Sequence, residues 1–202
     1  GGFRGNLYQV KLLTLFFYRG LSLIYEYELG TEIEEAEKFD DLVFKYKNTS
    51  DEDEHYIMVQ AKHKMEKTDK IKITDLLTDK DVNFGLVKYY NSFRKAENNE
   101  LFKMGVIDYV IVYTNNEFDA KTEMILKDDI EEVDLAKENM LCLCKIDKKG
   151  KFYKFKSEFL LEKLKPLVKK FLCEYYRIAE RLVDFLLMYM KSGGRCTEWE
   201  RF

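Results

Sequence analysis

The sequence predicts an α/β fold in which helices flank a central mixed sheet. An apolar helix precedes several short β-branched and aromatic runs, a second helical pattern leads to a further apolar run, and an amphipathic pattern closes the chain. With 202 residues and 46% hydrophobic content, the chain can bury one sizeable core. We expect one domain over residues 1–157 and a long C-terminal helical extension over 158–202, packed on that domain or on a partner.

The N-terminal half is predicted to contain one helix and three strands. Dense apolar residues over 7–21 predict a largely buried helix that ends near Gly20. Alternation over 22–29 predicts a strand, which an acidic loop follows. Short apolar runs at 42–46 and 56–62 predict two neighbouring strands joined by a polar hairpin.

The second half begins with a crossover helix that returns the chain to the same sheet. An apolar run rich in Val, Ile and Tyr then predicts a buried strand near the sheet centre. In chain order, the predicted elements are a helical turn at 73–77, a helix at 84–97 capped by Asp81 or Asn83, a strand at 109–114, a hairpin formed by 140–145 and 151–156, and a helical region at 158–191.

Asp41 and the triplet Gln60-Ala61-Lys62 flank the two neighbouring strands. Alternation places Gln60 and Lys62 on one face of their strand and Ala61 on the other. If Asp41 starts the adjacent strand, a carboxylate, an amide oxygen and an ammonium converge. Such a group is typical of sites that hold a hard cation beside a phosphate and activate water there.

These residues resemble the D-(x)n-(E/Q)xK core of the PD-(D/E)xK nuclease superfamily, in the variant where Gln replaces Glu. The helix that opens at residues 5–9, the acidic segment before Asp41 and the basic stretch after Lys62 follow a similar order. The chain is similar over roughly residues 5–115 to double-stranded-DNA endonuclease effector domains of bacterial anti-phage systems, and to nuclease-like domains at the start of immune-type proteins. The resemblance implies a restriction-endonuclease-like fold.

The resemblance also implies a role for each residue. Asp41 and Gln60 would bind Mg²⁺ or Mn²⁺, and Lys62 would position the attacking water or stabilise developing charge. Because a one-residue slip exchanges inward and outward side chains, Asp40 is the alternative ligand. The neutral Gln60 leaves room for a further acid, for which Glu32, Glu28 and Glu26 are the candidates.

Two groups of lysines are candidate DNA contacts. Lysines of this kind bind phosphates without reading bases, so binding should be sensitive to salt and tolerant of sequence. The alternative is a solvated charged face. The first group follows Lys62 and the second lies on the late hairpin: Lys64, Lys67, Lys70, Lys72, Lys149 and Lys151.

Composition restricts the remaining function classes. The net charge of −3 gives no global basic field, and the four cysteines lack zinc spacing, which indicates a reducing compartment, cytoplasmic or nuclear. No apolar stretch approaches a membrane span, so no membrane partner is expected. The wide apolar stripe of the C-terminal region predicts either core packing, a homodimer seam or a docking site for a regulatory domain.

The function expected from these observations is a metal-dependent DNA endonuclease domain of little sequence specificity, an effector module of a larger protein. The first alternative is a nuclease-like binding or interaction module that has lost catalysis. The second is an unrelated α/β interaction domain, in which Asp41 and Lys62 would lie far apart.

Overall fold

The computed structural model describes residues 3–23, 26–47, 53–63, 70–133, 150–164 and 184–190. These residues form a mixed α/β structure with a seven-stranded mixed sheet in the order β1-β2-β3-β4-β7-β6-β5. The predicted fold class, a mixed sheet flanked by helices, is confirmed. The helices are α1 (Phe3–Leu23), α2 (Ile73–Leu76), α3 (Leu86–Glu97), α4 (Ala120–Leu126) and α5 (Ser157–Leu164); the strands are β1 (Glu26–Gly30), β2 (Leu42–Lys47), β3 (Glu54–Lys62), β4 (Val106–Thr114), β5 (Ile130–Glu132), β6 (Gly150–Phe155) and β7 (Asp184–Met190).

The sheet combines an antiparallel meander with a parallel centre. Strands β1, β2 and β3 pair antiparallel, as the sequence predicts, and α3 then carries the chain to β4, which pairs parallel to β3. Strand β7 pairs parallel to β4 and antiparallel to β6, which pairs antiparallel to β5. The carboxyl ends of β3, β4 and β7 therefore lie at one edge of the sheet.

Hydrophobic residues cover the sheet on both faces. On one face α1 inserts Leu12 and Phe16 against Phe44 of β2 and Ile57 of β3. The opposite face carries α3 and α5. Because the middle strands are covered on both sides, they appear in the sequence as continuous apolar runs.

The C-terminal prediction needs correction. A helical region was predicted over 158–191; α5 covers Ser157–Leu164, residues 165–183 lie outside the described part, and Asp184–Met190 is strand β7. An apolar run of this length fits a buried helix and a buried strand equally well, so periodicity alone does not separate them. Its position between β4 and β6 makes 184–190 part of the sheet rather than of a helical extension.

Smaller differences concern element ends and short elements. Helix α1 continues to Leu23, so β1 starts later than predicted, and a 3₁₀ helix, Glu34–Phe39, occupies the acidic loop. The N-cap of α3 is Gly85, not Asp81 or Asn83. The sequence patterns did not predict α4 or β5, which have seven and three residues. The predicted strand at 140–145 lies outside the described residues.

Candidate active site

The site is built where the start of β2 meets the carboxyl end of β3. Leu42 pairs with Val59, and Asp40 forms a further bridge to Val59. This register places Asp41 beside Gln60. The predicted convergence of these two side chains therefore follows from the pairing of the strands.

The Asp41 carboxylate is buried and receives several hydrogen bonds. It is 9% exposed, and Gln60 beside it is 6% exposed. Gln60 Nε2 donates to Asp41 Oδ2, which also accepts a 2.6 Å bond from the backbone N–H of Ala61. Gln9 Nε2 donates to the other oxygen, Oδ1. Charge-assisted bonds of this kind hold an ionised carboxylate in place.

Lys62 lies near the same carboxylates. Burial lowers the pKa of the Lys62 ammonium, and the negative charges of Asp41 and Asp40 oppose that shift. The positive charges of Lys88 and Lys38 lower the pKa of Lys62 further. A buried amine with a lowered pKa exchanges protons more readily at neutral pH than a surface lysine does.

Asp40 is the second carboxyl group of the site. Burial raises the pKa of Asp40, and the neighbouring charge of Asp41 adds to the effect. Lys62 and Lys38 act in the opposite direction. Two adjacent carboxylates in a partly buried site repel each other, and a bound cation would relieve that repulsion.

Gln9 and Lys88 belong to the site although the sequence patterns did not mark them as functional. Gln9 reaches Asp41 from α1, on the opposite side from α3. The Lys88 side chain of α3 is 13% exposed, donates from Nζ to the carbonyl of Val82 and lies 3.3 Å from Asp81 Oδ1. Burial lowers the pKa of Lys88. Burial, and then the charge of Asp41, raise the pKa of the neighbouring Tyr89, so this turn of α3 lies close to Asp41. No spacing in the sequence predicts that proximity.

Two of the three candidate third acids lie away from Asp41. Glu28 and Glu26 lie on β1, and the Glu28 carboxylate contacts Lys45 at 3.5 Å, four residues along β2 from Asp41. Glu32 adopts a positive φ of 55°, and its backbone N–H donates to the Asp40 carbonyl at 2.7 Å while its side chain is exposed. Glu32 therefore shapes the loop before Asp41 through its backbone.

A divalent ion would need carboxamide ligands here. Within the described ranges, no three acidic, histidine or cysteine side chains are grouped to hold a metal ion. Asp40 and Asp41 can supply carboxylates, and Gln9 and Gln60 can supply amide oxygens. The donor set is then entirely oxygen, which suits Mg²⁺ or Mn²⁺. Both amides now donate N–H to Asp41, so each must rotate by half a turn to present its oxygen.

The predicted DNA-contacting lysines fall into three groups. Lys70 and Lys72 lie near the carboxyl end of β4, because Ile71 bridges to Phe118; Lys70 Nζ also contacts Glu117 Oε2 at 2.9 Å. Lys64, Lys67 and Lys149 lie outside the described residues, and for Lys151 of β6 only the backbone is described. Lys70 and Lys72 thus lie at the same end of the sheet as Lys62, the last residue of β3.

The two histidines lie away from this group. His63 contacts the Tyr8 ring at 4.9 Å between centroids, on the face opposite Lys62. The Nδ1 atom of His55 lies 3.0 Å from Asp108 Oδ2, to which the Tyr46 hydroxyl also donates. Asp108 lies at a one-residue register shift in the β3–β4 pairing, between the two β4 residues that pair with Tyr56 and Ile57.

No described helix combines the length and apolar character needed to cross a membrane. Comparison of the chain with protein-family models, with curated proteins and with solved structures gave no match. The functional conclusion therefore rests on the geometry of Asp41, Gln60 and Lys62 and on the motif that these residues form.

Proposed function

We propose that this chain is a metal-dependent DNA endonuclease domain with a restriction-endonuclease-like fold. The observation that carries the proposal is the hydrogen-bonded contact of Asp41 with Gln60 and the Ala61 N–H, next to Lys62 at the end of β3. The order of meander, crossover helix and parallel strand is compatible with that fold. The reaction is hydrolysis of a phosphodiester, in which water adds to phosphorus and an alkoxide leaves.

The chain supplies groups of both signs for this reaction. Asp41 and Asp40, with Gln60, would hold Mg²⁺ or Mn²⁺, which supplies charge neutralisation at the phosphate and an acidified water. Gln9 and the Ala61 N–H fix the orientation of the Asp41 carboxylate. A fixed carboxylate avoids reorganisation during the reaction.

Lys62 has a different role from the carboxylates. Its ammonium would stabilise the negative charge that develops on the phosphate, or orient the attacking water. Lys88 provides a second cation within electrostatic reach of Lys62. Cations in a low-dielectric site interact more strongly with a developing charge than cations at the surface do.

Cleavage of supercoiled plasmid DNA tests the proposal. Wild-type protein with Mg²⁺ or Mn²⁺ should nick or linearise the plasmid, and Lys62→Met or Asp41→Asn should slow cleavage by about a hundredfold or more. Lys103→Met is the matched control, since Lys103 is partly exposed and pairs with Glu100 after α3. The control should cut at the wild-type rate. Intact plasmid with wild-type protein, or equal cutting by all variants, would contradict the proposal.

One observation favours a second candidate, a nuclease-like binding module without catalysis. Three donors already occupy the Asp41 carboxylate, and both carboxamides point N–H groups at it. If the amides keep that orientation, the carboxylate is a structural anchor and no cation enters. A protein that binds duplex DNA but leaves it intact with either ion would establish this candidate.

A further inference from the structure

Three lysines from different elements lie beside the carboxylates of the candidate site. Lys62 ends β3, and Lys38 lies in the 3₁₀ helix, two residues before Asp40. Lys88 lies in the first turn of α3. Burial lowers the pKa of Lys62, and the charges of Lys88 and Lys38 act in the same direction. Burial also lowers the pKa of Lys88, and the charge of Lys38 adds to that effect. The three ammonium groups are therefore within electrostatic reach of one another.

The packing of the 3₁₀ helix on α3 brings these lysines together. The Phe39 ring contacts the Tyr89 ring of α3, with 5.4 Å between the two ring centroids. The residue before each of these rings is one of the lysines, so the same contact holds the backbone of both. The bridge of Asp40 to Val59 in turn ties the end of the 3₁₀ helix to β3. The lysines therefore converge because their elements pack directly on one another.

The three lysines differ in the partners that they already have. Lys88 Nζ donates to the Val82 carbonyl and lies 3.3 Å from Asp81 Oδ1, so its ammonium is fixed in place. Within the described ranges, the side chains of Lys38 and Lys62 form no ion pair or hydrogen bond. A partly buried ammonium such as Lys62 is unfavourable without a paired anion. The group is thus suited to receive one.

The charges around the group indicate how much negative charge it can receive. The two adjacent carboxylates of the site would be neutralised by a divalent ion. Asp81 pairs with Lys88, and the side chain of Asp81 is 74% exposed. The ammonium charges of Lys38 and Lys62 then remain for the substrate. Because each phosphodiester of DNA carries one negative charge, this number matches two neighbouring phosphates rather than one.

We propose that Lys38 and Lys88 form a second phosphate subsite, which binds the phosphate next to the scissile one on the same DNA strand. The inference rests on the proposed function, in which Lys62 serves the scissile phosphate, and it adds two positioning residues. Lys88 supplies a charge that its contacts hold in place, and Lys38 supplies an exposed ammonium that can contact the phosphate. A strand held at two successive phosphates binds in one register.

The salt dependence of DNA binding tests the subsite apart from cleavage. Fluorescence anisotropy of a short labelled duplex, measured with Ca²⁺ as the divalent ion, gives the slope of log K against log salt. We expect Lys38→Met/Lys88→Met to weaken binding about tenfold and to reduce the slope by about 1. Lys95→Met/Lys103→Met is the matched control, because it removes the same charge from two lysines that pair elsewhere and are 67% and 44% exposed. The control should keep the wild-type slope.

Two single variants keep the test valid if the double variant does not fold. Lys38 is exposed, so Lys38→Met should fold and should raise KM for plasmid cleavage about fivefold, with kcat changed by less than about twofold. Lys88→Arg keeps the charge and should bind DNA with the wild-type slope. A purely structural role of Lys88 would not change the salt slope.

The possible outcomes separate the subsite from the proposed function. A double variant with the same slope as the control would overturn the subsite and leave the nuclease proposal standing. Wild-type protein that leaves plasmid intact, but whose slope the double variant still lowers, would overturn hydrolysis and support the subsite. An effect confined to linear DNA with 5′-phosphates, and absent with circular plasmid, would assign the two lysines to a strand end and overturn the proposal.

Discussion

At the scale of single residues, the candidate site holds charges that folding alone would not favour. Burial works against the charged forms of Lys62, Lys88 and Asp40, as their shifted pKa values indicate. Asp41 is buried too, and three hydrogen-bond donors compensate its burial. Natural proteins retain such groups where function needs them, at a cost in stability.

Replacing Lys62 with Met should therefore raise stability while it slows cleavage. We expect a gain of about 1 kcal/mol in the free energy of unfolding near neutral pH. Because the pKa of Lys62 is lowered in the folded state, the unfolded chain binds more protons between that lowered pKa and 10.5. Wild-type stability rises with pH across this window. The extra stability of the variant over wild type should therefore decrease as the pH rises through this window, as urea unfolding at several pH values can measure. A variant less stable than wild type at every pH would contradict the burial of a charged Lys62.

Asp40→Asn should also stabilise the protein at neutral pH, with the opposite dependence on pH. The raised pKa of Asp40 means that the folded state binds its proton more tightly, so wild-type stability falls as pH rises from 3.8 through the folded-state pKa. At pH values above the folded-state pKa the full free-energy cost of burying the charged Asp40 is present, and below pH 3.8 this cost vanishes. The gain from Asp40→Asn should follow this course in thermal melts. A gain that is the same in acid would contradict the burial of a charged Asp40.

Part of the site could be predicted from the sequence at this scale. Asp41, Gln60 and Lys62 were predictable because two adjacent strands and a period of two fix which side chains meet. Gln9 and Lys88 were not, because they reach the site from helices on opposite sides of the sheet, and no local pattern encodes that distance. Glu28 was misplaced because the register of β1 against β2, which pairs it with Lys45, is invisible before the fold is known.

At the scale of elements, tight backbone contacts hold β3 against the turn that precedes β4. A Cβ atom at Gly105 would lie 2.5 Å from the Glu54 carbonyl oxygen and 2.6 Å from the Tyr56 ring. A backbone atom cannot yield as a flexible side chain can. The turn and the strand start are thus fixed together at the edge of the sheet opposite to the candidate site.

Gly105→Ala should lower the free energy of unfolding by about 1–3 kcal/mol, because either β3 or the turn must shift. Gly85→Ala is the matched control, since its Cβ would approach the Lys80 carbonyl no closer than 3.3 Å. We expect the control to lose less than about 1 kcal/mol. Denaturant unfolding of the two variants measures the difference, and equal losses would mean that the turn is not tightly held.

Elements with strong local signals could be predicted, and the others could not. Helix α3 and strands β2, β3 and β4 could be predicted because each is long enough for its apolar residues to show the period of its structure. Helix α4 and strand β5 are too short to establish a period. Strand β7 was assigned to a helix since its run Asp-Phe-Leu-Leu-Met-Tyr-Met has no polar residue after the first, and only its pairing with β4 and β6 decides the matter.

At the scale of the whole molecule, the sheet depends on a strand that is distant in sequence. Strand β7 lies between β4 and β6, so it joins the meander half of the sheet to the antiparallel pair β5–β6. A chain that lacks β7 leaves the ladder edges of β4 and β6 unpaired. Buried strands with open edges are unstable and prone to association.

A chain ending after residue 190 should thus unfold cooperatively on heating, whereas a chain ending at residue 157, the predicted domain boundary, should not. Circular dichroism melts of the two truncations measure this. Both proteins need the same purification and buffer, so that aggregation is compared fairly. Cooperative melting of the 1–157 fragment would support the predicted domain boundary at residue 157. It would also show that the fold does not need β7.

The central claim, that Asp41 and Gln60 hold a divalent ion beside Lys62, is tested most directly by anomalous scattering from a crystal soaked in Mn²⁺. We expect a peak within bonding distance of an Asp41 carboxylate oxygen, with Gln60 turned so that Oε1 faces the ion. The same map would show whether Asp40 is a ligand. A peak at a distant site would contradict the account. A map with no peak near Asp41, in which Gln60 Nε2 still donates to Asp41, would contradict it as well.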